Sequence, residues 1–148
     1  MAETAGGLGR AELLQMTDGR SDEEIGREVA SMGTDTVLAK VFQGLERAFL
    51  ADRAAGQTAV VQWDLSTADG PRSWQVSVEH GSISAGAGSE ATPRVTLALG
   101  LADFLRFLAG RLDGMQAFMS GKLRVSGDLM LAQAMQSWFD RSSPAGGP

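Results

Sequence analysis

The 148-residue sequence predicts an α+β fold built around a five-stranded, mainly antiparallel sheet. Three patterns carry that expectation. Apolar residues recur at helical spacing from Val37 to Phe49, change to alternation between Ala59 and Leu99, and return to helical spacing from Leu101 onward. A helix, then consecutive strands, then further helices is the order of an α+β chain, whereas an α/β chain would repeat strand and helix in turn.

Each element has its own local justification. Ser21-Asp22-Glu23-Glu24 has capping-box spacing, and Ile25, Val29 and Met32 follow at helical intervals, so a short helix spans about 21–32. Its charge and bounding glycines suggest an appendage, and residues 1–35 are read as an acidic amino-terminal extension. From Thr36, the residues Val37, Leu38, Val41, Phe42, Leu45 and Phe49 form one broad stripe on a helix that should dock on the core. Ala59, Val61, Trp63 and Leu65, then Trp74, Val76 and Val78, alternate with more polar neighbours. They predict two half-buried strands joined by Asp69-Gly70-Pro71 turn chemistry, with Trp63 and Trp74 as a cross-strand pair. His80-Gly81 allows a tight return into a third strand, Ser82 to Ala85, and Val95, Leu97 and Leu99 mark a fourth.

Leu101, Phe104, Leu105 and Leu108 lie at i, i+3, i+4 and i+7 of a helix that Gly110 ends. Asp113 to Ser120 reads as a second short helix, with Met115, Phe118 and Met119 on one side. Leu123 and Val125 alternate with Lys122 and Arg124 in a fifth strand bounded by Gly121 and Gly127. Asp128 then caps a last helix to about Asp140, and Asp103 and Asp113 stand near helix starts in the same way. Residues 36–140 thus form the main domain and 141–148 a flexible tail.

Composition removes several classes of function. The chain has no cysteine and one histidine, His80, so neither a disulfide framework nor a thiolate or multi-histidine metal centre is expected. No cofactor is indicated. The net charge is −5, and all of the excess lies in residues 1–36, with eight acids against three arginines; the other 112 residues carry ten acids and ten bases. Nucleic acid is therefore not an expected partner, because the basic footprint that binds phosphate is missing. No apolar run approaches the ~18 residues of a membrane span, and the first residues lack a signal-peptide pattern, so the expectation is a cytoplasmic protein that does not span a membrane. Eleven arginines against two lysines, beside many alanines and glycines, suit a GC-rich bacterial coding sequence.

The closing helix raises the functional question. Between Leu129 and Met135 only Gln133 is polar, and a helix apolar on several sides needs more than one apolar neighbour. One side can pack on the sheet while another lines a cavity or meets a partner. Four of the seven methionines, Met115, Met119, Met130 and Met135, fall in this closing section. Methionine adapts to guests of varied shape, and it is also ordinary core filler.

Here the residues resemble the sterol carrier protein family, in its stand-alone bacterial form, over roughly Thr36 to Asp140. The motif comprises Asp103-Phe104-Leu105 opening a helix to Gly110, then Ala117-Phe118, then Gly121-Lys122-Leu123-Arg124-Val125-Ser126-Gly127-Asp128-Leu129. The resemblance implies helices packed on one face of the sheet and an apolar cavity between them for a fatty acid, fatty acyl-CoA, sterol or phospholipid. On that basis the expected apolar lining is Trp63, Trp74, Val76, Phe104, Leu108, Met115, Phe118, Met119, Leu131, Met135 and Trp138, with a lipid-like small molecule as partner and no covalent chemistry. The chain ends in SSPAGGP, without the Ser-Lys-Leu address of peroxisomal members.

Two other classes stay open at this point. The same cavity could fold a long hydrophobic substrate for cyclisation or isomerisation, using one acid such as Asp64, Glu79 or His80. Alternatively the apolar helix could serve a dimerising module, a homodimer being compatible with the sequence. His80 suits a turn better than catalysis, and Lys122 and Arg124 either stay solvated or attract a lipid headgroup or CoA phosphate. The acidic extension could cover the cavity mouth, mediate dimerisation, or be flexible.

Overall fold

The computed structural model describes residues 10–50, 52, 56–135 and 138. The described residues begin with two helices, α1 (Arg10–Thr17) and α2 (Asp22–Met32), followed by α3 (Thr34–Ala48). The strands are β1 (Ala59–Thr67), β2 (Gly70–Glu79), β3 (Ser82–Ala87) and β4 (Val95–Gly100). Then come α4 (Leu101–Ala109), α5 (Gly114–Met119), β5 (Arg124–Gly127) and α6 (Leu129–Met135). Among the described residues, no helix is long and apolar enough to cross a membrane.

The five strands form one sheet in the order β3-β2-β1-β4-β5. The first three make the expected antiparallel meander, with Trp63 opposite Trp74 and Val78 opposite Ile83. β4 does not continue it. The chain crosses back and pairs parallel with the other side of β1, Trp63 opposite Leu97, and β5 then adds antiparallel to β4. The sheet is therefore mixed, with one parallel pair. His80 and Gly81 have φ of 52° and 78°, the positive values that a two-residue type I′ hairpin demands at both central positions. This histidine is an exposed turn residue.

Alternation decides what the sheet buries. Ala59, Val61, Trp63 and Leu65 of β1, Val76 and Val78 of β2, and Val95, Leu97 and Leu99 of β4 are buried, while Gln62, Asp64, Gln75 and Thr96 between them are partly exposed. The helices pack on the buried face. Phe42 of α3 stacks on Trp74 (ring centroids 4.6 Å apart) and approaches Phe104 of α4 (5.5 Å), which in turn meets Trp63 (5.1 Å). Each such pair adds about 0.5–1.5 kcal/mol beyond its buried area. Together they fill the space between α3, α4 and the centre of the sheet.

Among the described residues before α3, 10–33, there are two helices where the sequence suggests one, and both reach the core. Leu13 and Met16 of α1 and Ile25 and Val29 of α2 are buried in the same cluster as the sheet residues. The capping box at the start of α2 forms as its spacing predicts: Glu24 N–H donates to Ser21 Oγ (3.1 Å), and Ser21 N–H to Glu24 Oε1 (2.9 Å). Two arginines fasten these helices to α4 and its exit. Arg106 donates to Asp22, Asp103 and the Arg20 carbonyl, and Arg111 donates to Thr17 Oγ1 (2.9 Å) and the Leu14 carbonyl (3.1 Å). Asp103 is thus an ion-pair residue of the first turn, with Gly100 in the cap position that the sequence suggests for it.

The other two aspartates cap as expected. Asp113 Oδ2 accepts from Gln116 N–H (3.0 Å), and Asp128 Oδ1 accepts from Leu131 N–H (3.0 Å). Residues 136, 137, 139 and 140, into which the sequence extends the last helix, lie outside the described residues, as does the expected tail, 141–148. Trp138 is described and buried, and its carbonyl accepts from Leu50 N–H (2.6 Å).

Candidate functional site

A cavity of about 360 Å³ lies on the helical side of the sheet, beside the aromatic cluster. Its floor is Trp63 of β1, Leu97 and Leu99 of β4, and Leu123 and Val125 at β5. Phe107 of α4 closes one side. Gly114, Met115, Ala117 and Phe118 of α5 and Leu129, Ala132, Gln133 and Met135 of α6 form the remaining walls. Strand alternation selects the floor, since Leu97 and Leu99, then Leu123 and Val125, face the same way while Ala98 and Arg124 face the other. Trp63 stands between the cavity and the filled half of the core: it lines the cavity beside Phe107 and meets Phe104 in the filled half.

Burial gives the cavity a direction. Trp63, Leu97, Leu99, Phe107, Ala117, Ala132 and Met135 are buried, whereas Met115, Phe118 and Leu129 are 50%, 42% and 46% exposed. The deep end is therefore apolar, and the mouth opens beside α5 and α6 with apolar side chains at its edge. Met119 and Met130, 78% and 77% exposed, stand on the same two helices outside the lining. Two lining residues have polar ends at the mouth, Asp113 and Gln133, and both are exposed.

α6 owes its position to one junction. Asp128 N–H donates to the Arg94 carbonyl (2.9 Å), and Arg94 returns a guanidinium hydrogen bond to Asp128 Oδ2 (2.8 Å). The chain passes so close there that a Cβ on Gly127 would lie 2.4 Å from the Arg94 carbonyl oxygen, at a φ of 103°. Asp128 is held below the usual carboxylate range, first by the Leu131 N–H it accepts and then by Arg94. The Gly-Asp pair that ends the strand motif thus sets the start and direction of a cavity wall.

Of the residues expected to line a cavity, Trp63, Met115, Phe118 and Met135 meet around this one. Trp74 stacks on Phe42, Phe104 is wholly buried in the aromatic cluster, and Val76, Leu131 and Trp138 are buried elsewhere in the core. Leu108 is half-buried, and Met119 faces solvent. Sequence reasoning passed over Leu97, Leu99, Leu123, Val125, Phe107 and Ala132, although the alternation of the fourth and fifth strands already put the first four on one face. The acids considered for catalysis lie apart from the lining. Asp64 accepts from Gln62 and Ser73 on the other face of the sheet, and Glu79 and His80 pair at 3.5 Å in the exposed β2–β3 turn. Neither α1 nor α2 contributes to the cavity lining, so the acidic segment does not cover its mouth with described residues. Among the described residues no group of three or more metal-ligating side chains converges.

Comparison with known proteins gives the same picture. The pattern of the SCP-2 sterol transfer family matches residues 39–140. The oleate-induced peroxisomal protein POX18 of Candida maltosa is 28% identical over 120 residues, which cover 79% of this chain and 94% of that protein. Hydroxysteroid dehydrogenase-like protein 2 of Xenopus laevis is 26% identical over 112 residues; the match takes in 75% of this chain but only 27% of the longer relative. Among solved structures, sterol carrier protein 2-like 2 of Aedes aegypti superposes with a TM-score of 0.55 at 25% identity, covering 71% of this chain and 98% of that one. With the matched pattern spanning well over half of its residues, the chain belongs to the SCP-2 sterol transfer family.

Proposed function

We infer that this protein binds a lipid-like amphiphile in the cavity between its sheet and α5 and α6, and carries it without covalent chemistry. The observation that supports the reading most is a preformed, largely apolar cavity of about 360 Å³ with its polar groups at the mouth. That volume falls at the small end of the ~300–1,000 Å³ usual for small-molecule sites. A methylene occupies about as much space as a water, about 30 Å³, so the cavity takes roughly a dozen carbon atoms. At ~0.8 kcal/mol each they offer on the order of 10 kcal/mol gross. Association costs of at least ~4 kcal/mol leave a dissociation constant in the tens of micromolar from the tail alone. The name of one structural neighbour, a sterol carrier protein, points to the same class of cargo.

Native mass spectrometry of the freshly purified protein, followed by organic extraction, tests the proposal. The expected result is one co-purifying lipid-like molecule per chain, or one-to-one uptake of dodecanol by the stripped protein. Met135→Gln, which puts an amide at the deep end, should lower that uptake about tenfold while the circular dichroism spectrum stays the same. Uptake unaffected by this change would place the ligand elsewhere and end the cavity reading.

A further inference from the structure

The polar part of the cavity is small, and it has a sign. Among the described residues the lining contains no lysine, arginine or histidine; its polar side chains are the Asp113 carboxylate, the Gln133 amide and the indole of buried Trp63. Asp113 gives Oδ2 to the Gln116 N–H, and no described residue donates to Oδ1. The Gln133 amide bonds to no described residue. Both are exposed, and they come from the two elements that frame the mouth, where the head of a tail-first amphiphile would emerge.

The cations nearby do not reverse this sign. Arg111, two residues before Asp113, is turned away to α1, where it holds Thr17, the Leu14 carbonyl and, at 3.6 Å, Asp18. Lys122 and Arg124 flank the lining residue Leu123 without lining the cavity themselves. Among the described lining residues, an anionic head at the mouth would meet a carboxylate and no cation. A head that donates hydrogen bonds would meet a vacant carboxylate oxygen and an amide oxygen.

We propose that the cavity mouth selects amphiphiles with a hydrogen-bond-donating head that is uncharged or positive, an alcohol or an amine, over carboxylates and phosphates, through Asp113 and Gln133. This selection rests on the cavity reading above. It also implies that the cargo is closer to an alcohol or amine with a tail of about a dozen carbons than to a free fatty acid.

A tail-matched series separates the two ideas: dodecylamine, dodecanol and dodecanoate, titrated into the stripped wild-type protein at neutral pH and low salt. An exposed charge contributes modestly, attractive for the amine and repulsive for the carboxylate, and the two effects together should make the amine bind about tenfold more tightly than dodecanoate. Dodecanol should fall between them, and added salt should shrink the spread. Asp113→Asn keeps a residue that caps helices well and should bring the ratio close to one. It changes the net charge of −5 by a single unit, so an effect of overall charge would survive it. Lys122→Gln should leave the ratio in place.

Equal binding of all three ligands, a preference for dodecanoate, or an amine preference that persists in Asp113→Asn would each overturn head-group selection and leave the cavity standing. Binding of none of the three would overturn the cavity reading and the selection together.

Discussion

Glycine substitutions divide sharply according to what a Cβ would meet, and Gly127 is the extreme case. Its φ of 103° is strained for any side chain, and the added carbon would sit 2.4 Å from a backbone oxygen that cannot swing aside. The strained backbone and the overpacking each cost about 1–3 kcal/mol, so Gly127→Ala should lose roughly 3 kcal/mol or more. Gly26, inside α2, has nothing within 4 Å of the place an added methyl would take, and it should respond in the opposite sense. Gly26→Ala gains about 0.5–1 kcal/mol by relieving the helix of glycine's chain entropy. Urea midpoints of the two variants and the parent check both signs. A mild effect at Gly127 would mean that β5 and α6 can separate from Arg94, and that the wall of the cavity is less fixed than the hydrogen bonds indicate.

Elements held by local chemistry were the legible ones, and the junction of β5 with α6 shows why. Asp128 lies directly before an apolar run, which is a cap signal readable without knowing the fold, and the structure uses it so. The same carboxylate gives a pH dependence. Its folded-state pKa is depressed below the ordinary value of 3.8 by the Leu131 N–H and then by Arg94. Stability from this group is therefore fully present above the ordinary carboxylate range and is lost as pH falls below 3.8 through the folded-state value. Asp128→Asn should be less stable than the parent at neutral pH, with the gap closing in strong acid. Urea unfolding across that range measures it, and a constant gap would show that the carboxylate's charge contributes nothing. Glu24, also depressed, chiefly by its bond from the Ser21 backbone, keeps its own acid slope in both proteins. What local chemistry does not specify stayed hidden. Nothing within β4 tells whether it pairs antiparallel with β3 or parallel with β1, because the same alternation buries Val95, Leu97 and Leu99 either way. α1 has only eight residues, and its buried Leu13 and Met16 make too short a pattern to stand out before α4 is there to receive them.

At the scale of the whole molecule, the apolar side chains divide between a half that is filled and a half that is not. The sequence puts Trp63, Trp74, Val76 and Phe104 on the inward side without indicating which half each joins. Phe42 decides this for Trp74 and Phe104 by stacking between them, so these rings consolidate the scaffold, while Trp63 stands at the boundary. The unfilled half ends in exposed methionines, and these provide a built-in footprint of where cargo sits. Met115 lines the cavity at 50% exposure, while Met32, Met119 and Met130 are at least as exposed and lie outside it. Dilute peroxide oxidises thioethers according to their access. In the stripped protein all four should therefore react readily, with buried Met16 and Met135 slow. Loading with dodecanol should slow Met115 several-fold and leave Met32, Met119 and Met130 unchanged, as read by peptide mass spectrometry. Equal protection at Met119 and Met130 would indicate that the ligand covers the outside of α5 and α6. Uptake with no protection of Met115 would mean that the chain holds its cargo away from the cavity that the sheet and the last two helices enclose.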